Sequence, residues 1–492
     1  MTRQVIKLGS SSIASRGGLA LDVIAGLVSQ IATAQRAGHE IILVTSGAAR
    51  LGRQLLTFEG PTAGAGQALQ ALVSSVRAAV QSADYQQLAE TLSLYVTPTG
   101  PQAIETALPS AVGQPALMAL YRQLAAAVGV EVCQILVSRS DLDSPRAMAD
   151  LGQLLREATG RGLLPIVNGN DATDPHSALD NDQVAVAVAV AAEASRLLFL
   201  TDVRAAYRDA ELSERITRLT PAQARAVRVT AGGSGRGGMG SKLTAAARAA
   251  CCGVECVIGS AREPDVVGRS LNPRARMGTV VRAAGPRLEP GRRWLGGIAY
   301  SAGSVHVNRE AEESLRTGST LFLSGVKRVD GDFPAGAVVE LLDVRHPERL
   351  LGRGSVALPS AILRLLRALA PQEVACVLSI LFRLRYADSA PDGPAAGEHA
   401  WLLDPDVYKD CQELASGTSR ASQEALALLA ALSADRVTEL ADSLLLAQPH
   451  LATTFLLDKG FVQGQVPADA AARRVVRSIH AVHRESLAVY PA

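Results

Sequence analysis

The chain has 492 residues, of which 48% are hydrophobic and only 3% aromatic, and its formal net charge is +2. Its length predicts about three domains, and apolar residues that are mostly Ala, Val and Leu are typical of an α/β protein with helices packed on an aliphatic sheet. The near-neutral charge excludes a protein whose overall field draws it to nucleic acid or anionic membrane, and no apolar run approaches the roughly 18 residues of a membrane helix. Six cysteines without a CxxC pair indicate reduced thiols and no metal site, and the N-terminus lacks the apolar run of a signal peptide, so we expect a cytoplasmic protein.

Two apolar strands near the N-terminus each end in a loop of small polar residues. Residues 4–8 lead into Gly9-Ser10-Ser11-Ser12, and residues 40–44 lead into Thr45-Ser46-Gly47. A strand, a glycine-serine loop and a helix together present backbone N–H groups to an anion, and Lys7 at the first strand end could pair with phosphate; a solvated strand-end lysine is the alternative. Right-handed crossovers bring the carboxyl ends of parallel strands to one edge of the sheet, where ligands of such folds bind.

Residues 53–105 interrupt this pattern with an Ala-, Gln-, Ser- and Gly-rich stretch. Apolar positions within it recur at helical spacing, which predicts a helical hairpin arm or insertion without evident chemistry. The periodicity after it predicts a helix over 114–128, a strand over 131–137 and a helix over 150–159.

A second polar cluster lies at 165–182. An apolar strand over 163–167 ends in short polar side chains, and Asp180-Asn181-Asp182 precede an apolar helix pattern over 184–192. Asn and Asp also favour turns and helix caps, so a plain turn is the alternative to a ligand-binding loop. A further strand over 196–200 runs into Thr201-Asp202, which predicts another hydroxyl-bearing strand end at the same edge.

A glycine-rich run over 232–242 ends in Lys242 directly before a helix pattern over 243–250. Glycines allow close approach of a polyphosphate, and the helix N-terminus and the lysine favour its charge. The run contains a GxGxxG match, but a dinucleotide fold needs an acidic residue at the end of the next strand, whereas Glu255 lies inside that strand. The spacing does not fit a Walker A loop either. Lys242 together with Ser241 favours binding of a nucleotide triphosphate, and a flexible surface loop is the alternative.

Six segments in order resemble motifs of the amino-acid kinase family, and within it those of the members that phosphorylate glutamate. They are VIKLGSSSI at 5–13, VTSGAAR at 44–50, PIVNGNDA at 165–172, DNDQ at 180–183, FLTDVRAAY at 199–207 and GGMGSKL at 237–243. Arg293-Trp294 and residues 318–341 are similar to parts of the PUA domain that follows the kinase domain in many bacterial members. The resemblance implies an open, mainly parallel sheet with helices on both faces, followed by a small PUA-like β-barrel. The apolar pattern after it predicts a helical C-terminal extension.

The resemblance also implies residue roles. Lys7 and Lys242 would flank the transferring phosphoryl group, and Asp182 would organise the two lysines. Ser46, Asp171 and Asn181 match positions that hold the amino-acid substrate. The positions that match the ATP site are Gly9, Ser10, Gly47, Thr201, Asp202, Gly237, Gly238, Met239, Gly240, Ser241 and Lys242.

The implied reaction is phosphorylation by ATP, with Mg²⁺, of the γ-carboxylate of glutamate or a close analogue, which gives an acyl phosphate and begins proline-type biosynthesis. A glutamate side chain ionises near pH 4 and is a competent nucleophile at neutral pH. No general base is therefore required, and catalysis consists of positioning and electrostatics.

Two alternatives stay open at the level of sequence. Gly169 stands where similar kinases carry a carboxylate, and the loop over 171–180 is about two residues short, so a different carboxylate acceptor is one alternative. The other is a catalytically weak regulatory or binding protein that engages RNA or a protein partner. Retention of Lys7, Asp171, Asp182 and Lys242 favours the enzyme.

The predicted domains are a kinase domain over 1–285 with its insertion at about 53–105, a PUA-like domain over 292–407 and a helical extension over 408–492. Periodicity predicts helices over 422–432, 436–447 and 470–486. Part of this extension resembles the first helices of γ-glutamyl phosphate reductase, so docking of that partner and oligomerisation of the chain are both open roles. We expect a homo-oligomer and no membrane contact, and the interspersed acids of the PUA-like part argue against RNA binding.

Overall fold

The computed structural model of the chain describes residues 2–9, 12–15, 18–56, 107–174, 180–208, 214–227, 238–275, 277–367, 369, 374, 377 and 479–490. The chain divides into two compact units. The first comprises Met1–Ala299 with Tyr490–Ala492, and the second comprises Tyr300–Val489.

The first unit is built on a mainly parallel sheet, as predicted. Its strands are β1 Arg3–Leu8, β2 Ala14–Ser15, β3 Gly18–Leu19, β4 Glu40–Val44, β5 Val132–Val137, β6 Leu164–Gly169, β7 Arg196–Thr201, β8 Arg218–Leu219, β9 Glu255–Ser260 and β10 Thr279–Val281. The described residues form an eight-stranded sheet in the order β5-β6-β4-β1-β7-β9-β10-β8, and β2 pairs with β3. Only the β9–β10 pair in this eight-stranded sheet is antiparallel.

Helices connect these strands. They are α1 Leu21–Arg36, α2 Ala48–Leu56, α3 Ala107–Ala127, α4 Arg139–Asp143, α5 Pro145–Gly160, α6 Asn181–Ala191, α7 Pro221–Ala226, α8 Met239–Cys251, α9 Val266–Leu271 and α10 Pro290–Arg293, followed by a π-helical turn over Trp294–Ile298. The central strands are buried almost throughout, because apolar runs such as RQVIKL, EIILV and RLLFLT are covered on both faces. None of the helices in the described ranges has the length and apolar character needed to cross a membrane.

The register of the parallel strands fixes one common edge. Lys7 is opposite Val44, Leu8 is opposite Leu200, and Thr201 is opposite Ser260. The carboxyl ends of β1, β4, β6, β7 and β9 therefore lie side by side. This confirms the prediction that the polar strand ends share one edge.

Helix α2, which follows the β4 strand end, lies unusually close to α3. A Cβ at Gly52 would come 1.7 Å from the carbonyl oxygen of Pro109, and a Cβ at Gly113 would come 1.9 Å from that of Ala48. Two glycines thus permit a backbone contact that any side chain would prevent. That contact positions α3 beside the β4 strand end.

The second unit contains the six-stranded sheet order β12-β16-β15-β14-β11-β13. Its strands are β11 Gly303–Val307, β12 Leu321–Phe322, β13 Val326–Asp330, β14 Val338–Asp343, β15 Leu350–Val356 and β16 His480–Val489, and its helices are α11 Arg309–Arg316, a 3₁₀ turn Leu323–Gly325 and α12 Ser360–Arg367. Alternating apolar residues of these strands form a core with α12. Short strands around one core agree with the PUA-like expectation.

The helix predicted over 470–486 is wrong for its last seven residues. His480–Val489 is a strand that pairs antiparallel with β12 and β15. The buried positions Ala481, Val482, Leu487 and Ala488 do not alternate strictly along the chain, and their spacing also fits a helix. The register of β16 against β15 shifts, so its buried residues depart from the two-residue period of a regular strand. The helices predicted over 422–432 and 436–447 lie outside the described residues.

The predicted insertion over 53–105 begins inside α2, which continues to Leu56, and its remainder lies outside the described residues. The predicted domain limits at 285, 292 and 407 stay predictions.

Candidate active site

Two lysines and an aspartate from three different elements meet at the common edge of the sheet. Lys7 Nζ lies 2.7 Å from Asp182 Oδ1, and Lys242 Nζ lies 3.2 Å from Asp182 Oδ2. Lys7 is near the end of β1, Asp182 is in the first turn of α6, and Lys242 is in the first turn of α8. Asp182 is 0% exposed, Lys7 5% and Lys242 6%. The three residues predicted as catalytic are therefore in direct contact.

Local capping holds Asp182 in place. The side chain of Asp180 is the N-cap of α6 and accepts a hydrogen bond from the backbone N–H of Asp182 at 2.9 Å. On the other side, the Ser241 hydroxyl lies 3.3 Å from Asp182 Oδ2 and donates to the carbonyl oxygen of Gly238 at 2.8 Å. Lys7 of β1 therefore holds Asp182 Oδ1, and Lys242 and Ser241 of α8 hold Asp182 Oδ2.

Burial changes the proton affinity of the groups at this cluster. Burial lowers the pKa of Lys7, and the positive charge of Lys242 lowers it further, while Asp182 opposes both effects. Burial also raises the pKa of Asp180, and the negative charge of Asp182 adds to that rise. The cluster is therefore an electrostatically coupled group in which each charge depends on its neighbours.

A second group of predicted residues lies beside this cluster. The Asn181 side-chain amide donates to the Ser46 hydroxyl at 3.0 Å. A Cβ at Gly169 would lie 3.4 Å from Asp171 Oδ1 and 3.6 Å from Asn181 Oδ1. Asn181 Oδ1 is buried and has no hydrogen-bond partner within the described part of the chain. An unpaired oxygen close to a carboxylate suits a ligand that donates hydrogen bonds, such as an ammonium group.

Backbone groups suited to phosphate lie at the same edge. Gly47 has a φ of 106°, a conformation that favours glycine, in the turn between β4 and α2. Gly238 caps the N-terminus of the 13-residue helix α8, and a Cβ at Gly238 or Gly240 would meet no atom of the described residues within 4 Å. The N–H groups at a helix N-terminus are a suitable place for an anion.

The remaining predicted ATP positions are distributed around this edge. Gly9 follows β1 and accepts turn hydrogen bonds from the N–H groups of Ser12 and Ile13. The buried Thr201 at the end of β7 donates from its hydroxyl to the exposed Asp202. Met239 lies beside Gly240 in the first turn of α8. Ser10 and Gly237 lie outside the described residues.

Several supporting residues escaped the sequence analysis. Tyr121 bonds to the Thr45 hydroxyl at 2.7 Å, and burial raises the pKa of Tyr121 to about 12. Gln114 accepts from the side-chain amide of Asn168 at 2.8 Å, and Asn168 in turn accepts from the N–H of Gly169. Tyr121 and Gln114 belong to α3, and their distance along the chain from these partners left no local signal. Asp180 was identified in the sequence before an apolar helix pattern, and the structure adds that its side chain is the N-cap of α6.

Comparisons with known proteins relate the chain to a kinase family and to the PUA domain. The sequence model of the amino acid kinase family matches residues 2–260, and that of the PUA domain matches residues 303–374. The chain is 34% identical over 396 residues to a glutamate 5-kinase of Gloeobacter violaceus, and the alignment covers 77% of this chain and 95% of that protein. It is 29% identical over 386 residues to a glutamate 5-kinase of Proteus mirabilis, and this alignment covers 76% of this chain and 94% of that protein. It is 31% identical over 353 residues to a glutamate 5-kinase of Thioalkalivibrio sulfidiphilus, and this alignment covers 69% of this chain and 84% of that protein.

Proposed function

The chain belongs to the amino acid kinase family, and from this premise we propose that it transfers the γ-phosphoryl group of ATP to the γ-carboxylate of glutamate. The product is an acyl phosphate, the first intermediate of proline biosynthesis. The observation that carries this proposal is the buried contact of Lys7, Asp182 and Lys242 at the sheet edge, directly beside Asn181. An intact cation pair of this kind does not favour the regulatory alternative, in which the site would be a remnant.

The two lysines act on the charge of the transferring group. Lys7 and Lys242 approach one carboxylate from two elements, so their ammonium groups are held in fixed positions before substrates bind. Donors fixed in a site with little water stabilise developing charge without the cost of reorganisation. Asp182 holds both ammonium groups and is a positioning residue in this scheme.

Asp171 and Asn181 orient the acceptor. Asn181 Oδ1 and the Asp171 carboxylate both border the space next to Gly169, where they can accept hydrogen bonds from the α-ammonium group of the amino acid. Binding at the α-carbon leaves the γ-carboxylate free to face the lysines. This carboxylate is ionised at neutral pH and attacks phosphorus without a general base.

The donor side is proposed to hold ATP with Mg²⁺. The N-terminus of α8 and the turn at Gly47 offer N–H groups to the phosphates, and the Thr201-Asp202 strand end borders the same edge. The described residues contain no group of three or more potential metal ligands. Mg²⁺ would therefore take most of its ligands from phosphate oxygens and water, as is usual for this ion.

The decisive experiment measures ADP release in a coupled assay with glutamate, aspartate, N-acetylglutamate and glutamate analogues that are substituted near the α-carbon. Hydroxylamine is added to trap an acyl phosphate as the hydroxamate. We expect ADP release and hydroxamate with glutamate. Folded protein that releases no ADP with any acceptor would refute the phosphotransferase proposal, whereas turnover with another acceptor alone would refute only the choice of glutamate.

One observation favours including analogues in that panel. The missing side chain at Gly169 leaves space beside Asp171 and Asn181. A glutamate analogue with an additional substituent near its α-carbon is the second candidate acceptor.

The same proposal extends to partners and location. An acyl phosphate hydrolyses readily, so a γ-glutamyl phosphate reductase that receives it in the cytoplasm is the proposed partner, and the proposed enzyme is a homo-oligomer. Size-exclusion chromatography with light scattering of the chain, alone and mixed with such a reductase, tests both statements. A monomer that does not comigrate with the reductase would contradict them.

A further inference from the structure

A large pocket lies in the first unit, away from the Lys7–Asp182–Lys242 cluster. Its volume is about 810 Å³, which is within the range of roughly 300–1,000 Å³ typical of small-molecule sites. The wall on one side is the β9, β10 and β8 part of the sheet, and the other side is α9 with the loop that follows it. The pocket is therefore formed by residues between 196 and 282.

The pocket is on a different face of the sheet from α8. Alternate residues of a strand share a face, so Glu255 and Val257 of β9 point into the pocket while Cys256 points away from it. Cys256 is within electrostatic reach of Cys251 and Cys252 at the end of α8, the helix that carries Lys242. Arg196, which lines the pocket, is five residues before Thr201 along β7, a separation of about 16 Å along a strand.

Arginine dominates the lining. Among the described residues, six arginines and one carboxylate, that of Glu255, line the pocket; the arginines are Arg196, Arg215, Arg218, Arg269, Arg274 and Arg282. Arg196 bonds to Glu255 at 2.9 Å, and Arg269 bonds to Glu263 at 3.2 Å. The carboxylate that the described residues contribute to the lining is thus already engaged by Arg196.

The other four arginines, Arg215, Arg218, Arg274 and Arg282, make no ion pair within the described ranges of the chain. Arg218 is adjacent to β10 through its pairing with Val280, and Arg282 is two residues beyond Val280 on the same face. Like charges held on adjacent strands repel one another, and an anion between them would relieve this repulsion. Guanidinium groups bind phosphate oxygens in a bidentate geometry.

The pocket also has apolar walls. Val257, Met277 and Val280 line its sheet side, and Pro273 lines the loop side. We propose that this pocket binds a small molecule with several phosphate groups, either a polyphosphate chain alone or one attached to a nucleoside, at a site separate from the active site. The arginines would bind the phosphates, and the apolar wall would accept the ring of a nucleoside.

The test is isothermal titration calorimetry on the full chain at fixed ionic strength, with inorganic tripolyphosphate, GTP and ATP as probes. Wild-type protein is compared with Lys242→Ala, with the double variant Arg218→Gln/Arg282→Gln, and with the control Arg292→Gln, which removes an exposed arginine outside the pocket. Thermal unfolding of each variant shows that it is folded. If Lys242→Ala does not fold, the wild-type and double-variant stoichiometries still separate the two sites.

We expect tripolyphosphate to bind Lys242→Ala at one site with wild-type affinity, and the double variant to lose at least tenfold in affinity at that site while Arg292→Gln does not. Equal affinity for the three probes would indicate recognition of the phosphate chain, and tighter binding of GTP or ATP would indicate that the nucleoside is bound as well. Loss of all binding in Lys242→Ala, or equal weakening by Arg292→Gln, would overturn the proposal. Binding of a single-stranded oligonucleotide without binding of any of the three probes would also overturn it.

Discussion

The first unit holds two groups of positive charge that differ in their surroundings. At the carboxyl edge, Lys7 and Lys242 are almost fully buried and share the carboxylate of Asp182. In the pocket, four exposed arginines lie together without an ion pair in the described residues. A buried charge needs a fixed partner because its desolvation is costly, whereas an exposed charge is stabilised by water and screened by salt. Changes at the edge should therefore have large effects on folding and turnover, and changes in the pocket should have small ones.

Removal of the shared carboxylate should have the largest effect on both stability and turnover. In Asp182→Asn both buried lysines lose their charge partner, so we expect a loss of about 3–5 kcal/mol in the free energy of unfolding. Turnover should fall by at least about 1,000-fold because both ammonium groups lose their fixed positions. Urea denaturation and the ADP-release assay measure the two effects. A variant with near wild-type stability and turnover would show that the cluster does not hold the lysines as described.

Removal of one cation should reduce turnover with a smaller effect on folding. Lys242→Ala takes away a fixed donor to the transferring group, which predicts a decrease in kcat of about 100- to 1,000-fold. The control Arg292→Gln removes a positive charge at an exposed position and should leave kcat unchanged. Steady-state kinetics measure kcat for both variants. Retention of most activity in Lys242→Ala would show that the phosphate site is not at Lys242.

The acceptor side should respond through substrate affinity. Asp171→Asn keeps the size of the side chain but removes the charge proposed to face the α-ammonium group. A lost hydrogen bond to a charged group is worth about 1.5–3 kcal/mol, so kcat/KM for glutamate should fall about 10- to 100-fold. The KM for ATP is the internal control and should change little. An equal rise in both KM values would place Asp171 outside the acceptor site.

The pH dependence of kcat/KM distinguishes a buried lysine from an exposed one. The pKa of Lys7 is lowered from its ordinary value of 10.5 by burial, so the catalytically required ammonium form is lost as the pH rises through a value below 10.5. In that window the unfolded chain binds more protons than the folded chain, so the contribution of Lys7 to the free energy of unfolding becomes more favourable as the pH rises. Profiles of kcat/KM from pH 7 to 10.5 measure the alkaline decrease. A kcat/KM that stays constant up to pH 10.5 would contradict the burial effect.

The pocket should show the smallest effect on stability. Arg218→Gln with Arg282→Gln removes exposed charges that make no ion pair in the described part of the chain, so the free energy of unfolding should change by less than about 0.5 kcal/mol. Relief of charge repulsion makes a slight stabilisation at low salt the expected sign, and added salt should remove it. Denaturation at two ionic strengths measures this, and a loss of several kcal/mol would show that these arginines are structural.

Local sequence was sufficient for the features that depend on neighbours along the chain. Apolar runs that end in glycine, serine or aspartate predicted the central parallel strands and their common edge, because strand ends of a parallel sheet must meet at one side. That Lys7, Asp182 and Lys242 would meet there was implied by the resemblance to the amino-acid kinase family. The roles given to Ser46, Asp171, Asn181 and the ATP positions stay predictions that the experiments above address.

Only the tertiary structure decided the features that join distant segments. Packing of α3 beside the β4 strand end brings Tyr121 to Thr45 and Gln114 to Asn168, and pairing with β12 and β15 makes 480–489 a strand. The arginine pocket likewise collects side chains from β7 to β10 that no single window of sequence contains. Periodicity reports which face of an element is apolar, but the partner that covers this face is selected by packing over the whole chain.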